Sequence, residues 1–275
     1  MILSNKKLDD IIKEEYKDIN DYFKSLGMDR RARLRIVGGI KLPEDIMYYL
    51  FLGILISLWA IYNPTIYVPI DYAIYATVFG FRIQRYDDSN AYYSLFLRYI
   101  YIKKNTIKER TNDLINQIYS NNIEIKEDNI IAINFFRDNA VYYPVYIDKD
   151  KNNIEEIILR PFIKSVLAHE KSHQIVGKSE IKASASEFLA YFDMYELYKY
   201  EKAEEVVRKN IKRCIDYVKS DNKYNPYTIG RCYGNVVLHE NNFSINIIEE
   251  IEKLKHMKNK DIIKEVKNYV LNYSN

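Results

Sequence analysis

The chain has 275 residues, a formal charge of +3, four His and two Cys. That length makes one or two domains with a core that needs no staples, and two Cys exclude a disulfide-dense scaffold or a four-Cys zinc ribbon. A hydrophobic content of 48% excludes a disordered chain, and so small a net charge carries no nucleic-acid signature. The 27 Tyr are read as biased composition, and the eight Gly form neither a P-loop nor a GxGxxG turn.

Residues 8–26 place Leu8, Ile11, Ile12, Ile19, Tyr22 and Phe23 at helical spacing, an amphipathic helix ending near Gly27. No apolar core follows the basic start, so no cleaved signal peptide is expected. Arg30, Arg31, Arg33 and Arg35 then form a basic segment, read as a solvated turn with the chemistry to touch phosphates or anionic headgroups. From Ile46 to Ile70 no residue is charged. As a helix, 46–62 would span about 25 Å, slightly short of a ~30 Å hydrocarbon core. Tyr48, Tyr49, Trp59 and Tyr62 stand at its ends, as an aromatic belt would. A turn at Asn63-Pro64-Thr65 leads into a second apolar run, 66–81, which contains Pro69 and Asp71. Lys41 and the arginines before it, with Arg82 and Arg85 after it, suit an apolar helical hairpin with both ends in the cytoplasm. A hairpin buried in a soluble protein is the competing reading. Residues 91–119 read as one or two helices, with Tyr92, Phe96, Tyr99 and Ile100 on one face. Residues 123–147 read as two or three strands, the last an edge strand because it contains Pro144. From Ile154 onward the pattern is helical, with breaks at 177–180, 220–226 and 240–244. In it, Cys214 and Cys232 are expected as free buried thiols, with a disulfide between them as the alternative, and 244–272 as a helix pair with Ile245, Ile248, Ile251 and Leu254 on one face.

Chemistry enters with His169-Glu170-Lys171-Ser172-His173, an HExxH pattern on a helix expected to start at Pro161. Imidazoles at i and i+4 share a face, so both can reach one zinc ion. Glu170, one step round the helix, is placed to take a proton from a water and pass it to a leaving amine. Two His leave zinc short of a protein ligand. Position 179 is Ser, which excludes HExxHxxGxxH, and His239 and His256 are far downstream, so an acidic ligand is expected. Gly177 would end the motif helix and 181–199 form a second one. An even split of the turn puts Glu187 level with the His pair, with Ala183 and Ala190 allowing close approach. Glu187 is the expected third ligand; Glu180, Asp193 and Glu196 could also serve. Candidate donors to the oxyanion of a transition state are Tyr227, Tyr233, Arg231, His239 and Tyr195.

HExxH followed by Glu187-Phe188-Leu189-Ala190 resembles the gluzincin zinc metallopeptidases, which have a downstream ExxA. From Asn139, the run NAVYYPVYI, a charged turn and IEEIILRPFIKSVLAHEKSH is similar in layout to the HtpX-like and CAAX-prenyl membrane peptidases. Lethal-factor-type gluzincins are the second resemblance. The chain departs in carrying Ser172 before the second His, where Gly is usual, and Tyr191 where ExxAD has Asp. The resemblance implies a zincin-like domain with zinc on His169, His173 and Glu187, and Glu170 as base. It also implies that an extended peptide adds to the strand at 141–147.

The sequence therefore reads as a mainly helical α+β protein in three parts: an N-terminal helix and basic segment (1–45), the apolar hairpin (46–82) and a zincin-like metallopeptidase domain (83–275). The expected function is zinc-dependent endopeptidase cleavage of peptides or proteins, with membrane lipid as a further partner and no nucleic acid. The competing function is that of a membrane-associated binding or structural protein whose zinc staples the helix hairpin.

Overall fold

The computed structural model describes residues 5–28, 32–37, 90–94, 98–120, 130–136, 140–147, 154–220 and 224–273. The expected apolar hairpin at 46–82 lies outside these residues, as does the IEI stretch at 123–125. No helix among the described residues is long and apolar enough to cross a membrane.

Helix α1 (Asn5–Ser25) buries Leu8, Ile11, Ile12, Ile19 and Phe23, as its spacing predicts. It ends at Gly27, whose φ of +74° lets the Met28 N–H return to the Phe23 carbonyl at 2.9 Å. Part of the basic segment is a strand rather than a turn: β1 (Arg33–Val37) runs parallel to β3 (Tyr99–Lys103), and β2 (Ala91–Ser94) pairs with β3 antiparallel. The helices expected over 91–119 are thus only partly present, because α2 spans Lys104–Ser120. Tyrosines and isoleucines at near-helical spacing imitated a helix there. In YIYIK, aromatic and β-branched side chains favour a pleated strand, and the pairing on both sides of β3 decides.

Two strands follow, β4 (Ile130–Ile133) and β5 (Tyr143–Tyr146), antiparallel, with Pro144 in β5 as expected. The rest is helical: α3 (Ile154–Val176), α4 (Glu180–Met194), a 3-10 turn (Leu197–Lys199), α5 (Glu201–Lys219), α6 (Pro226–Glu240), α7 (Ile247–His256) and α8 (Asn259–Tyr273). Helix α3 begins well before Pro161, which lies inside it. An internal proline costs ~3 kcal/mol, and burial of Ile158, Leu159, Phe162 and Ile163 around it outweighs that cost. Helix α4 ends sooner than expected, at Met194. In the last helix pair Ile251 and Leu254 are buried with Ile247, while Ile248 is 39% exposed.

Helix α4 is the centre of the molecule, packed between α3 and α6. Gly230 sets the approach to α6: a Cβ there would stand 2.2 Å from the Ile181 carbonyl oxygen and 2.7 Å from Ser184 Cβ. Beside α4, Phe135, Tyr143, Phe162, Phe188 and Tyr191 form an aromatic core, with Phe135 and Tyr143 stacked at 4.7 Å. Helix α1 crosses α3 on another side, where Arg160 pairs with Glu14 and Glu15 at 2.9 and 2.8 Å. The two cysteines are not free thiols. Cys214 of α5 and Cys232 of α6 form a disulfide with a Cα–Cα distance of 5.9 Å. Separation along the chain says nothing of this distance; the antiparallel packing of α5 on α6 creates it.

Candidate metal centre

Gly177, Lys178 and Ser179 alone separate α3 from α4. Gly177 accepts the reversal with φ +84°, and Ser179 caps α4 by accepting from the Lys182 N–H at 3.3 Å. So short a link must leave the first residue of α4 beside the last turn of α3. That residue is Glu180, and the last turn of α3 carries His173.

Glu180 Oε2 lies 3.1 Å from His169 Nε2 and 3.2 Å from His173 Nε2. All three atoms are within 4.8 Å of one another. Ligand atoms on a tetrahedral zinc with bonds of about 2.0–2.1 Å are about 3.3 Å apart, so the spacing of each imidazole from the carboxylate fits that ion. His173 Nδ1 donates to the Gly177 carbonyl at 2.9 Å, which leaves Nε2 its lone pair. His169 Nδ1 faces Ser184 Oγ at 3.4 Å. The two rings meet edge to face at 4.9 Å. Two imidazoles and a carboxylate are a donor set that suits zinc. Among the described residues no fourth His, Cys, Asp or Glu joins them. The imidazoles are buried, while the Glu180 side chain is 37% exposed, so the cluster borders solvent.

Burial lowers the pKa of His169 to about 4, with His173 and Arg231 acting in the same sense. Burial also opposes charge on His173, but the carboxylates of Glu180 and Glu170 and the Gly177 carbonyl outweigh it and raise its pKa. Burial pushes Glu180 up, and hydrogen bonds and charge from the two imidazoles more than reverse that, holding it well below the usual carboxylate range. Without a metal, burial favours neutral His169, and the Glu180 and Glu170 carboxylates favour the charged form of His173.

Glu187, the expected third ligand, is not in this cluster. It is fully buried, accepting from Ser165 Oγ at 2.6 Å, Tyr143 Oη at 2.8 Å and Arg231 Nε at 3.0 Å. Burial raises its pKa against the pull of Arg231, Ser165 and Tyr143. An even split of the turn misplaces the level of the helices: His169 meets Ser184, and Ser165 meets Glu187. The crossing therefore lies earlier in the chain and brings His173 level with Glu180. Asp193 and Glu196 are engaged elsewhere, the first with the Tyr22 hydroxyl at 2.7 Å and the second with Lys199.

Glu170 follows His169 on α3 and is 7% exposed, and its charge reaches His173. Of the candidate donors, the structure brings Tyr227 to the cluster: its ring lies 5.5 Å from that of His169, and 39% of the residue is exposed. Arg231, one turn further along α6, is held by Glu187 with its guanidinium 3.9 Å from the Phe136 ring centre. Tyr233 donates to Glu250 at 2.7 Å, His239 contacts the Tyr269 hydroxyl at 2.6 Å, and Tyr195 packs under Lys164. These three belong to other parts of the molecule.

The expected peptide-binding edge of β5 is partly filled. Asn210 of α5 accepts from the Tyr142 N–H at 3.0 Å and donates to its carbonyl at 2.7 Å, and Tyr191 donates to the Pro144 carbonyl at 3.1 Å. Sequence reasoning missed Ser165, Ser184 and Tyr143 as partners of the site, since nothing local marks them. The signal for Glu180 was present in the short link after Gly177. Comparisons of the chain with family models, with curated proteins and with solved structures give no match.

Proposed function

We propose that the protein is a zinc-dependent peptidase with a zincin-like helical core, in which His169, His173 and Glu180 hold the metal and Glu170 is the general base. The observation that carries this reading is the convergence of His169 Nε2, His173 Nε2 and Glu180 Oε2, with a further carboxylate, Glu170, on the same helix. Zinc bound there supplies Lewis acidity towards a substrate carbonyl and makes water acidic enough to ionise near neutral pH. Glu170 takes the proton from the attacking water. The water oxygen joins the peptide carbonyl carbon, the C–N bond breaks, and Glu170 returns the proton to the leaving nitrogen. Tyr227, partly exposed beside His169, is the donor best placed to meet the developing oxyanion.

Only three protein ligands come together among the described residues, next to solvent, which favours a catalytic centre over a four-ligand structural staple. The test is the Glu170→Gln variant, compared with the parent for zinc per chain and for cleavage of a mixed peptide library. Retained zinc with cleavage lowered by about 10²–10⁴-fold is expected. A parent that binds zinc and cleaves nothing would make the site a staple, and one that takes up no added zinc would end both readings.

A further inference from the structure

The basic segment plays no part in the metal centre, and the fold gives it a shape. Strand β1 is an edge of its sheet among the described residues, and Arg33 and Arg35 on it are exposed. Arg98, distant in sequence and also exposed, comes alongside, its carbonyl accepting from the Arg33 N–H at 2.9 Å. Tyr99 lies among the three: its hydroxyl accepts from Arg33 Nη1 at 3.5 Å, and its ring centre is 5.7 Å from the Arg35 guanidinium.

The same sheet holds both ends of the stretch of sequence that contains the long charge-free run. The chain leaves β1 at Val37, which pairs with Lys103, and re-enters at Asn90, whose carbonyl accepts from the Lys103 N–H at 3.0 Å. Both junctions therefore flank one residue at one end of β3, about two strand spacings or ~10 Å apart. Between them the sequence runs from Ile46 to Ile70 without a charge.

We propose that the face bearing Arg33, Arg35, Arg98 and Tyr99 docks on an anionic phospholipid bilayer. Arginines meet phosphate headgroups by charge and by their planar donor forks, and tyrosine suits the headgroup layer. The charge-free run lies in the stretch of sequence between these two junctions and favours lipid over nucleic acid, and so does a net charge of only +3. The inference is independent of the peptidase reading.

The test is co-sedimentation of the full chain with vesicles of phosphatidylcholine, alone or mixed with phosphatidylserine, at low and high salt. Tighter binding to the anionic vesicles, weakening with salt, is expected. Each basic group at such a surface strengthens association by about fivefold, so an R33Q/R35Q/R98N triple variant should bind about a hundredfold more weakly. Asn at 98 tolerates the φ of +55°. The R33K/R35K/R98K variant, which keeps the charge, should bind much as the parent does, so a folding defect in the first variant would not hide the answer. Equal binding to neutral and anionic vesicles, or undiminished binding by the triple variant, overturns the proposal. So does a preference for RNA over anionic vesicles that the triple variant loses.

Discussion

Replacing Glu180 and Glu187 by glutamine, one at a time, separates the two carboxylates. Structural zinc bound by four ligands carries ~10–16 kcal/mol at pH 7, or about 3–4 kcal/mol per ligand. Glu180→Gln should therefore weaken zinc binding by about 10²–10³-fold at ~1.4 kcal/mol per decade. The same change should hardly move the metal-free melt. The Glu180 side chain is 37% exposed, and such a pair contributes at most about 1 kcal/mol. Glu187→Gln should do the reverse. Its partner Arg231 is 2% exposed, and breaking a buried pair costs about 3–5 kcal/mol. In a chain of this size that lowers Tm by roughly 10 °C, with zinc binding largely kept. Competition against a chromophoric chelator gives the affinities, and circular dichroism melts of metal-free protein give the stabilities. Zinc loss in Glu187→Gln with an unchanged melt, beside parental affinity in Glu180→Gln, would refute the assignment.

Zinc should be released by acid, because the raised pKa of His173 means that a proton must leave as metal binds. Below that pKa, affinity should fall about tenfold per pH unit; affinity unchanged down to pH ~5 would remove His173 from the ligand set. In the metal-free protein the sign is opposite. His173 contributes stability that is fully present below its unfolded pKa of ~6.5 and is lost as pH rises through the folded value. Gly230→Ala would drive a Cβ into the Ile181 carbonyl and Ser184 and should destabilise by about 3 kcal/mol. Since Ser184 faces His169, zinc affinity should fall with it; a parental melt and affinity would show that α4 and α6 are not packed so closely. Cys214→Ser/Cys232→Ser opens a loop whose ends are 18 residues apart, worth about 3 kcal/mol. Its melt should match that of the parent under reductant, and a parent insensitive to reductant would mean that the bond does not form.

Much of the local structure was legible. The burial stripe of α1, the stop at Gly177 and the shared face of His169 and His173 all follow from a 3.6-residue period and a residue that accepts positive φ. The strands at 91–94 and 99–103 were not, because short runs of Tyr and Ile fit either period and the choice is made by pairing with β1, which lies before the apolar run in sequence.

At the metal centre the same division holds. The HExxH residues lie on one continuous helix, so spacing alone brings the two imidazoles together. The third member of the cluster depends on where α3 and α4 cross, and the observed crossing puts Glu180 rather than Glu187 beside the two imidazoles. Glu187 instead found a buried cation on α6, a helix whose distance from α4 is set by Gly230. Among the described residues Tyr227 comes beside the His169 ring, because packing of α6 puts its first turn there. Which residues share a face of one element is a local matter of backbone period. Which faces meet is a matter of packing between elements, and that decided which carboxylate joins the two imidazoles, the disulfide and the arginine face.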